Sequence, residues 1–369
     1  MLPSMNRRLF LQWGLAASWG APLLAAVRGD QLDEAAAVLS SSVARGQVAA
    51  ATMTVIHGDT TYSRHFGKAS SAEAMFLLGS ISKPICVTAL MTLFDKGEFR
   101  LEDRVSKYLP QFSGEGRETV TIQQLLTHVS GLPDQLPEND TLRKNHAGLA
   151  EFVKHAQRTP LLFQPGERYQ YSSMGILLAT HVAEVITGTD IRKLVDQTVF
   201  QPLEMRHSAQ GLGRFKLSDM VRAQTEFAAP ESGAGDPTTK DWDWNSPYWR
   251  TLGAPWGTTH ASAPDLGKFF SEFLYGRGAV LKPATAKLMI GNRNGPGITP
   301  RGLAFNVGAA AGVPGCSEQT FGHTGSTGTI AWADPATETI CIVLTSLPGR
   351  AVTPHPRTLV SNRVAAAVK

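Results

Sequence analysis

Ser80 and Lys83 stand three residues apart, directly after Gly79, at the head of an apolar-periodic stretch that predicts a helix to about residue 96. Positions i and i+3 share one face of a helix, so this spacing sets an amine beside a hydroxyl. The positive end of the helix dipole favours negative charge developing on that hydroxyl. A buried lysine sheds its proton at working pH and can then take one from a serine, which makes the pair a candidate nucleophile and base. Alone, the same residues also read as a serine N-cap followed by a surface lysine.

Two further segments carry chemistry. Residues 165–175 (PGERYQYSSMG) present Tyr171, whose hydroxyl, held near an ammonium, is expected to have a lowered pKa and to relay protons. In isolation Tyr171 also reads as a core aromatic at a loop-to-helix junction. Residues 322–329 (GHTGSTGT) set three glycines among β-branched residues, the mark of an edge strand that another backbone or a ligand approaches closely. A backbone N–H there, opposite that of Ser80, would make an oxyanion hole. His323 and Thr324 would orient a substrate carboxylate or carbonyl. The alternative for the segment is a glycine-rich bulge on a sheet edge.

Taken together and in this order, S-x-x-K, a Y-x-N-like triplet and H-T-G resemble the serine β-lactamase and penicillin-binding-protein superfamily. Class C β-lactamases, D-Ala-D-Ala carboxypeptidases and family VIII carboxylesterases are the branches most similar. The flanks agree: residues 76–79 (FLLG), 125–134 (LLTHVSGLPD), 256–257 (WG) and 262–266 (SAPDL) look like the family's segments, and the resemblance covers about residues 31–365. It implies an α+β fold with a five-stranded antiparallel sheet flanked by helices, an inserted all-helical subdomain, and a cleft between them. It also implies that Ser80 is acylated, that Lys83 and Tyr171 share the acid and base work, and that the Ser80 and Ser326 N–H groups form the oxyanion hole. Ser173, His323, Thr324, Gly325 and Trp256 then fall at substrate-binding positions. Two departures stand out. Ser173 replaces the family's asparagine with a shorter side chain bearing one hydroxyl. His323 replaces the lysine of true β-lactamases, and a histidine is charged only part of the time near neutral pH. Both favour the esterase or peptidase branches over efficient β-lactam hydrolysis.

The elements that must position these residues follow from periodicity. Residues 31–45 predict a helix, and 49–56 with 60–66 a hairpin turning at His57-Gly58-Asp59. Residues 120–127, 149–156, 175–187 and 191–199 predict helices, as do 264–275 and 359–368, with strands at 302–307, 320–323, 329–334 and 339–345. This gives a sheet subdomain from 31–99 and 254–369 and a helical subdomain over 100–253. Within the latter, 228–249 is an irregular insertion where glycine, proline and tryptophan crowd. Its Trp242, Trp244, Tyr248 and Trp249 either line the mouth of the cleft or pack the insertion itself. His128 is expected to fix its loop by backbone hydrogen bonds.

The 369 residues, 42% hydrophobic and 18% charged, suit a large globular core. Arg7-Arg8 before the apolar run 9–26, ending in Ala25-Ala26, reads as a twin-arginine export signal over residues 1–26, with an N-terminal membrane anchor as the alternative. The expected location is therefore periplasmic or extracellular, with no stable membrane span once the signal is removed. The net charge of +4 falls to +2 without Arg7 and Arg8 (33 basic against 31 acidic residues), so nothing calls for nucleic acid. Cys86, Cys316 and Cys341 are expected to be three buried thiols, a single disulfide being the alternative. No G-x-S-x-G, P-loop, G-x-G-x-x-G or H-E-x-x-H occurs, which argues against an α/β-hydrolase, a nucleotide enzyme and a zincin. No metal or cofactor is implied. The expected activity is cleavage of a small ester, amide or peptide substrate through acyl-Ser80, carboxylesterase-like first. A D-Ala-D-Ala-type carboxypeptidase, D-aminopeptidase or β-lactamase is the alternative, and a penicillin-binding sensor without turnover is the reading from another class.

Overall fold

The computed structural model describes residues 29–368; the expected signal, residues 1–26, lies outside them. Among the described residues nine strands run in chain order: β1 (Ala50–His57), β2 (Thr60–Gly67), β3 (Phe76–Leu77), β4 (Ser208–Gln210), β5 (Thr259–Ala261), β6 (Asn306–Val307), β7 (Phe321–Gly325), β8 (Thr329–Asp334) and β9 (Thr339–Thr345). The main sheet is antiparallel in the order β2-β1-β9-β8-β7-β6. It therefore has six strands rather than the expected five, because Asn306 and Val307 pair with Gly322 and Phe321 and extend the edge. β1 and β2 turn tightly through Gly58, which adopts φ +53°, the left-handed conformation glycine takes without a Cβ penalty.

Both faces of this sheet are covered, and the period of two decides which residue goes where. From β9, Cys341 and Val343 join Met53, Val55 and Trp332 beneath two helices, Gly29–Ala44 and Pro356–Ala367, which bring the ends of the fold together. Ile340, Ile342 and Leu344 face the opposite way, toward the helices Ser82–Asp95 and Ala263–Tyr275. There Phe269, Phe270, Phe273, Phe305 and Phe321 form a ring cluster with centroids 5.0–6.4 Å apart. Edge-to-face pairs of this kind add about 0.5–1.5 kcal/mol each beyond the area they bury. The same core runs on without a break into the helical region through Phe152, Leu177, Val182 and Trp256.

A second sheet, β3-β5-β4, was not anticipated. Its strands are two or three residues long, too short for alternation to register. It joins residue 210 of the helical region to the segment just ahead of Ser80, and Leu78 N–H donates to Thr259 O (2.9 Å). Helices at Ile122–Leu126, Leu149–Ala156, Ser173–Thr187 and Ile191–Val195 occupy expected places, the last running on into a π-helical turn Asp196–Phe200. Helices Asn139–Lys144, Pro247–Leu252 and Pro283–Ile290 are additions.

Residues 228–249 are built of short 3₁₀ turns (Pro230–Ser232, Pro237–Thr239) braced by buried Arg250, which donates to Trp244 O, Val221 O and Asn245 Oδ1. Trp242, Trp244 and Trp249 are buried, so they pack the insertion, and Trp244 and Trp249 also wall a chamber of the cleft. Cys86 and Cys341 are buried, whereas Cys316 is only half-buried, which corrects the expectation of three buried thiols. Among the described residues no single helix is long and apolar enough to cross a membrane.

Candidate active site

The turn that carries Ser80 exists because of Gly79. Its φ is +58°, and a Cβ there would come within 3.0 Å of Thr327 Oγ1, 3.1 Å of Ser326 N and 3.2 Å of Gly325 Cα. The serine turn thus lies flat against the end of β7, and the Ser326 backbone sits beside it. Gly325 answers in kind: a Cβ on it would be 2.0 Å from Leu78 O. Thr327 and Thr329 hydroxyls donate to Leu77 O (2.6 Å) and Leu78 O (2.7 Å), tying the two backbones together.

Ser80 lies in a 3₁₀ turn, Gly79–Ile81, that runs into the Ser82–Asp95 helix. Lys83 is fully buried there and donates to Ser80 Oγ (2.9 Å) and to the Trp256 carbonyl (3.2 Å). Burial lowers its pKa from 10.5 to about 7; Asp134 pulls it back up and Arg301 pushes it further down. The amine is therefore neutral about half the time at neutral pH and hydrogen-bonded to the one hydroxyl it could deprotonate.

Tyr171 enters from the segment just ahead of the Ser173–Thr187 helix. Its ring centroid is 4.7 Å from Lys83 Nζ and 4.6 Å from the His128 ring centroid. The expected lowering of its pKa is overturned. Burial holds the phenol well above its usual range, although the Ser80 hydroxyl and Arg301 favour the ionised form. Of the pair, Lys83 is thus the group whose uncharged form can accept a proton, while burial keeps the phenol in its protonated form. His128 is buried and held well below its usual pKa, chiefly by burial, so its neutral Nδ1 accepts from Ser172 N–H (3.1 Å). That bond and the ring contact fix the approach to Tyr171.

At the third position of the tyrosine triplet, Ser173 N and Oγ both donate to Asp134 Oδ1 (2.9 and 2.6 Å). The shorter serine thus brings a carboxylate to the wall of the cleft. His323 is buried and far below its usual pKa, from burial first and then Arg301 and Lys83; it is neutral, with Nδ1 2.7 Å from Thr324 O and Nε2 3.5 Å from Arg301 Nη2. The partial charge expected of it is absent, and Arg301 supplies a full one. Arg301 is buried, is held by Asn306 Oδ1, and lies 5.7 Å from the Tyr171 ring centroid.

Two chambers meet at Ser80, Tyr171 and Ser326. One, of about 150 Å³, is walled by Asp134, Arg143, Ser173, Trp249 and Trp256. The other, of about 480 Å³, is walled by Arg301, His323, Thr324, Gly325, Arg350 and Arg357. Of the residues singled out from sequence, Ser80, Tyr171, Ser173, Trp256, His323, Thr324, Gly325 and Ser326 border these chambers; Lys83 is buried behind Ser80, and His128, Trp242 and Tyr248 line neither. Arg301, Asp134 and Arg143 were missed as site residues. Asp134 ends the 125–134 segment, but nothing in the local pattern distinguished its side chain, and Arg301 and Arg143 belong to no motif.

The Beta-lactamase family model matches residues 35–363. The chain belongs to the β-lactamase family. Among its relatives in sequence, a protein of Escherichia coli (strain K12) that carries a provisional D-alanyl-D-alanine carboxypeptidase name is 26% identical over 297 residues. Esterase EstB of Burkholderia gladioli is 34% identical over 185 residues. These matches cover 70% and 44% of this chain, and 66% and 47% of those proteins' lengths. In structure the chain is similar to EstCE1, a hydrolase with promiscuous acyltransferase activity (TM-score 0.73, 20% identity, 91% of this chain and 99% of that one). It is equally similar to the D-amino acid amidase of Ochrobactrum anthropi SV3 (TM-score 0.73, 22% identity, 92% and 99%). At those identities the likeness shows the β-lactamase-family fold alone.

Proposed function

We propose that this β-lactamase-family protein is a serine hydrolase that cleaves small esters or amides through an acyl-Ser80 intermediate. The observation that carries the reading is the 2.9 Å contact from a desolvated Lys83 amine to Ser80 Oγ. Neutral Lys83 takes the hydroxyl proton as Oγ attacks the substrate carbonyl. The developing oxyanion sits against the Ser80 and Ser326 N–H groups, and Tyr171, still protonated, hands a proton to the leaving group. The Tyr171 phenolate recovers a proton from the Lys83 ammonium; the amine so restored deprotonates the water that attacks the acyl group, and the proton returns to Ser80 Oγ as it leaves. Esterase chemistry comes first, because neutral His323 offers no charge of its own. Arg301 favours a second reading: a carboxylate-bearing substrate, such as a D-peptide, held in the larger chamber by its guanidinium. Activity profiling across p-nitrophenyl esters, D-Ala-D-Ala peptides and a fluorescent β-lactam separates these readings, with wild type and Ser80→Ala compared. Hydrolysis of every substrate undiminished in Ser80→Ala would remove the mechanism; stable β-lactam labelling of Ser80 without turnover would leave a sensor.

Export is part of the same reading, supported by Arg7-Arg8 before the apolar run 9–26. Full-length protein is expected in the periplasmic fraction of a host with a working twin-arginine pathway, and Arg7→Lys/Arg8→Lys is expected to keep it in the cytoplasm. Equal periplasmic yield from both would refute export by this route.

A further inference from the structure

A lowered pKa is not enough to make Lys83 a base, because its lone pair must also face Ser80. A neutral amine has two N–H bonds and one lone pair. The Trp256 carbonyl, 3.2 Å away, can only accept, so it draws an N–H and leaves the lone pair to face Ser80 Oγ at 2.9 Å. Whatever holds that carbonyl still orients the base. Trp256 lies in a buried turn, residues 253–259, between the Pro247–Leu252 helix and β5. The far end of the turn is tied to the catalytic serine's own segment: Thr259 N–H donates to Ser82 Oγ (3.0 Å), and Thr259 O accepts from Leu78 N–H (2.9 Å). The near end, Gly253, stops the helix in the left-handed conformation (φ +74°). Both ends meet one side chain. Gln210 Nε2 donates to Gly253 O (2.7 Å), and Gln210 Oε1 accepts from the Thr259 hydroxyl (2.5 Å). Gln210 is 2% exposed, and β4 sets it directly opposite Thr259 on β5. Since Gly253 O cannot donate, the amide nitrogen must be the atom that faces it. An apolar residue would fill a buried strand position at less desolvation cost; the carboxamide instead spans a turn whose ends lie 43 and 49 positions along the chain.

We propose that Gln210 is a positioning residue for the serine–lysine pair: its carboxamide holds the two ends of the 253–259 turn together and so keeps the Trp256 carbonyl on the Lys83 amine. Gln210 hydrogen-bonds neither Lys83 nor Ser80 and acts through that carbonyl. The proposal rests on the hydrolase reading for the use made of Lys83, and deepens it. Slackening the turn has two effects of fixed direction. A carbonyl acceptor favours the charged amine, so a looser one lowers the Lys83 pKa. A freer amine also points its lone pair away from Ser80 part of the time, which slows proton transfer. Gln210→Met therefore shifts the acidic limb of the pH–rate profile downward and lowers the plateau as well. A merely structural loss lowers the plateau and leaves the limb where it was. The charged and titratable groups around Lys83 are Asp134, Arg301, Cys86, Tyr171, His128 and His323. Among the described residues none of them hydrogen-bonds Gln210. Cys86 meets the Thr259 hydroxyl, but burial pushes its thiol up and keeps it uncharged.

Hydrolysis of p-nitrophenyl acetate across the pH range tests this in wild type, Gln210→Met and Thr259→Val. In Gln210→Met the plateau of kcat/KM should fall about tenfold and the acidic limb should move down by about half a unit, part of the full unit or more that a hydrogen bond from a charged donor is worth. Thr259→Val keeps the bond to Gly253 and removes the other, so both changes should keep their direction and shrink. It carries the test if Gln210→Met does not fold. The double variant should be no worse than Gln210→Met alone, since the shared bond is already gone. A limb within about 0.2 units of wild type in the folded variants, whatever the plateau does, would overturn the proposal. The ionisation of Lys83 can also be read without substrate, from the carbon-13 shift of Cε in lysine-labelled protein, assigned by its absence in Lys83→Met. That titration should run lower in Gln210→Met than in wild type. If wild type turns over no ester, amide or β-lactam, the hydrolase reading fails, and this comparison still judges the clamp: an unmoved titration overturns it.

Discussion

Removing the charge of Arg301 should move the acidic limb of the pH–rate profile upward, by an amount the geometry bounds. Lys83 Nζ is 4.7 Å and Arg301 Cζ 5.7 Å from the same Tyr171 ring centroid, so the two cations are no more than about 10.4 Å apart. At an effective dielectric of about 20 their repulsion is then at least about 1.6 kcal/mol, or about 1.2 pH units in the lysine. The sign is fixed. A neighbouring cation makes protonation of Lys83 harder, so Arg301→Met makes it easier and raises the pKa from about 7 toward 8. The neutral amine fraction at pH 7 drops from about half to about a tenth, and kcat/KM at that pH drops about fivefold, while the plateau above pH 9 changes little. A small uncharged ester such as p-nitrophenyl acetate, assayed from pH 5.5 to 9.5, keeps any role of Arg301 in binding out of the comparison. Arg301→Lys should hold the limb near the wild-type position. A wild-type limb near pH 10, or an Arg301→Met limb within about 0.3 units of wild type in folded protein, would refute the assignment of Lys83 as the base.

Other expectations follow from the same contacts. Tyr171→Phe should retain the fold and lower kcat by about 10²–10³-fold, since it removes a proton donor and leaves the ring against His128 and Lys83; steady-state kinetics with a poor leaving group would show the larger loss. Gly325→Ala should be destabilised by more than about 3 kcal/mol in chemical denaturation, because its Cβ would fall 2.0 Å from Leu78 O and 2.2 Å from Thr329 Oγ1, neither of which can retreat without opening the sheet.

How far the sequence spoke for itself depended on the range of the signal. β8 and β9 fall on residues 329–334 and 339–345 as read, because their runs are apolar and bounded by turn residues. Ser80 and Lys83 could be paired because helical spacing is a local rule. The edge strand read at 302–307 shrinks to Asn306–Val307, and the β3-β5-β4 sheet was invisible as such, its strands being too short to show a period. The direction of the Tyr171 pKa was misread for a different reason: the pattern places a cation near the phenol, but burial, the larger effect here, belongs to the whole fold. Arg301 lies 22 positions before His323 with no motif between, and only the pairing of β6 with β7 brings them together. Arg143 was out of reach in the same way, since its place over Trp249 joins two segments more than a hundred residues apart.

The mutual fit of Gly79 and Gly325, sewn by two threonine hydroxyls, makes the attacking oxygen and the amides facing it parts of one stiff block. Such a block leaves no slack for adapting to new molecules, so diversification must happen across the gap, in the tryptophan-bearing turns of 228–257 that close the far wall. A designer seeking altered selectivity would therefore graft or randomise that span and leave the glycine joint alone.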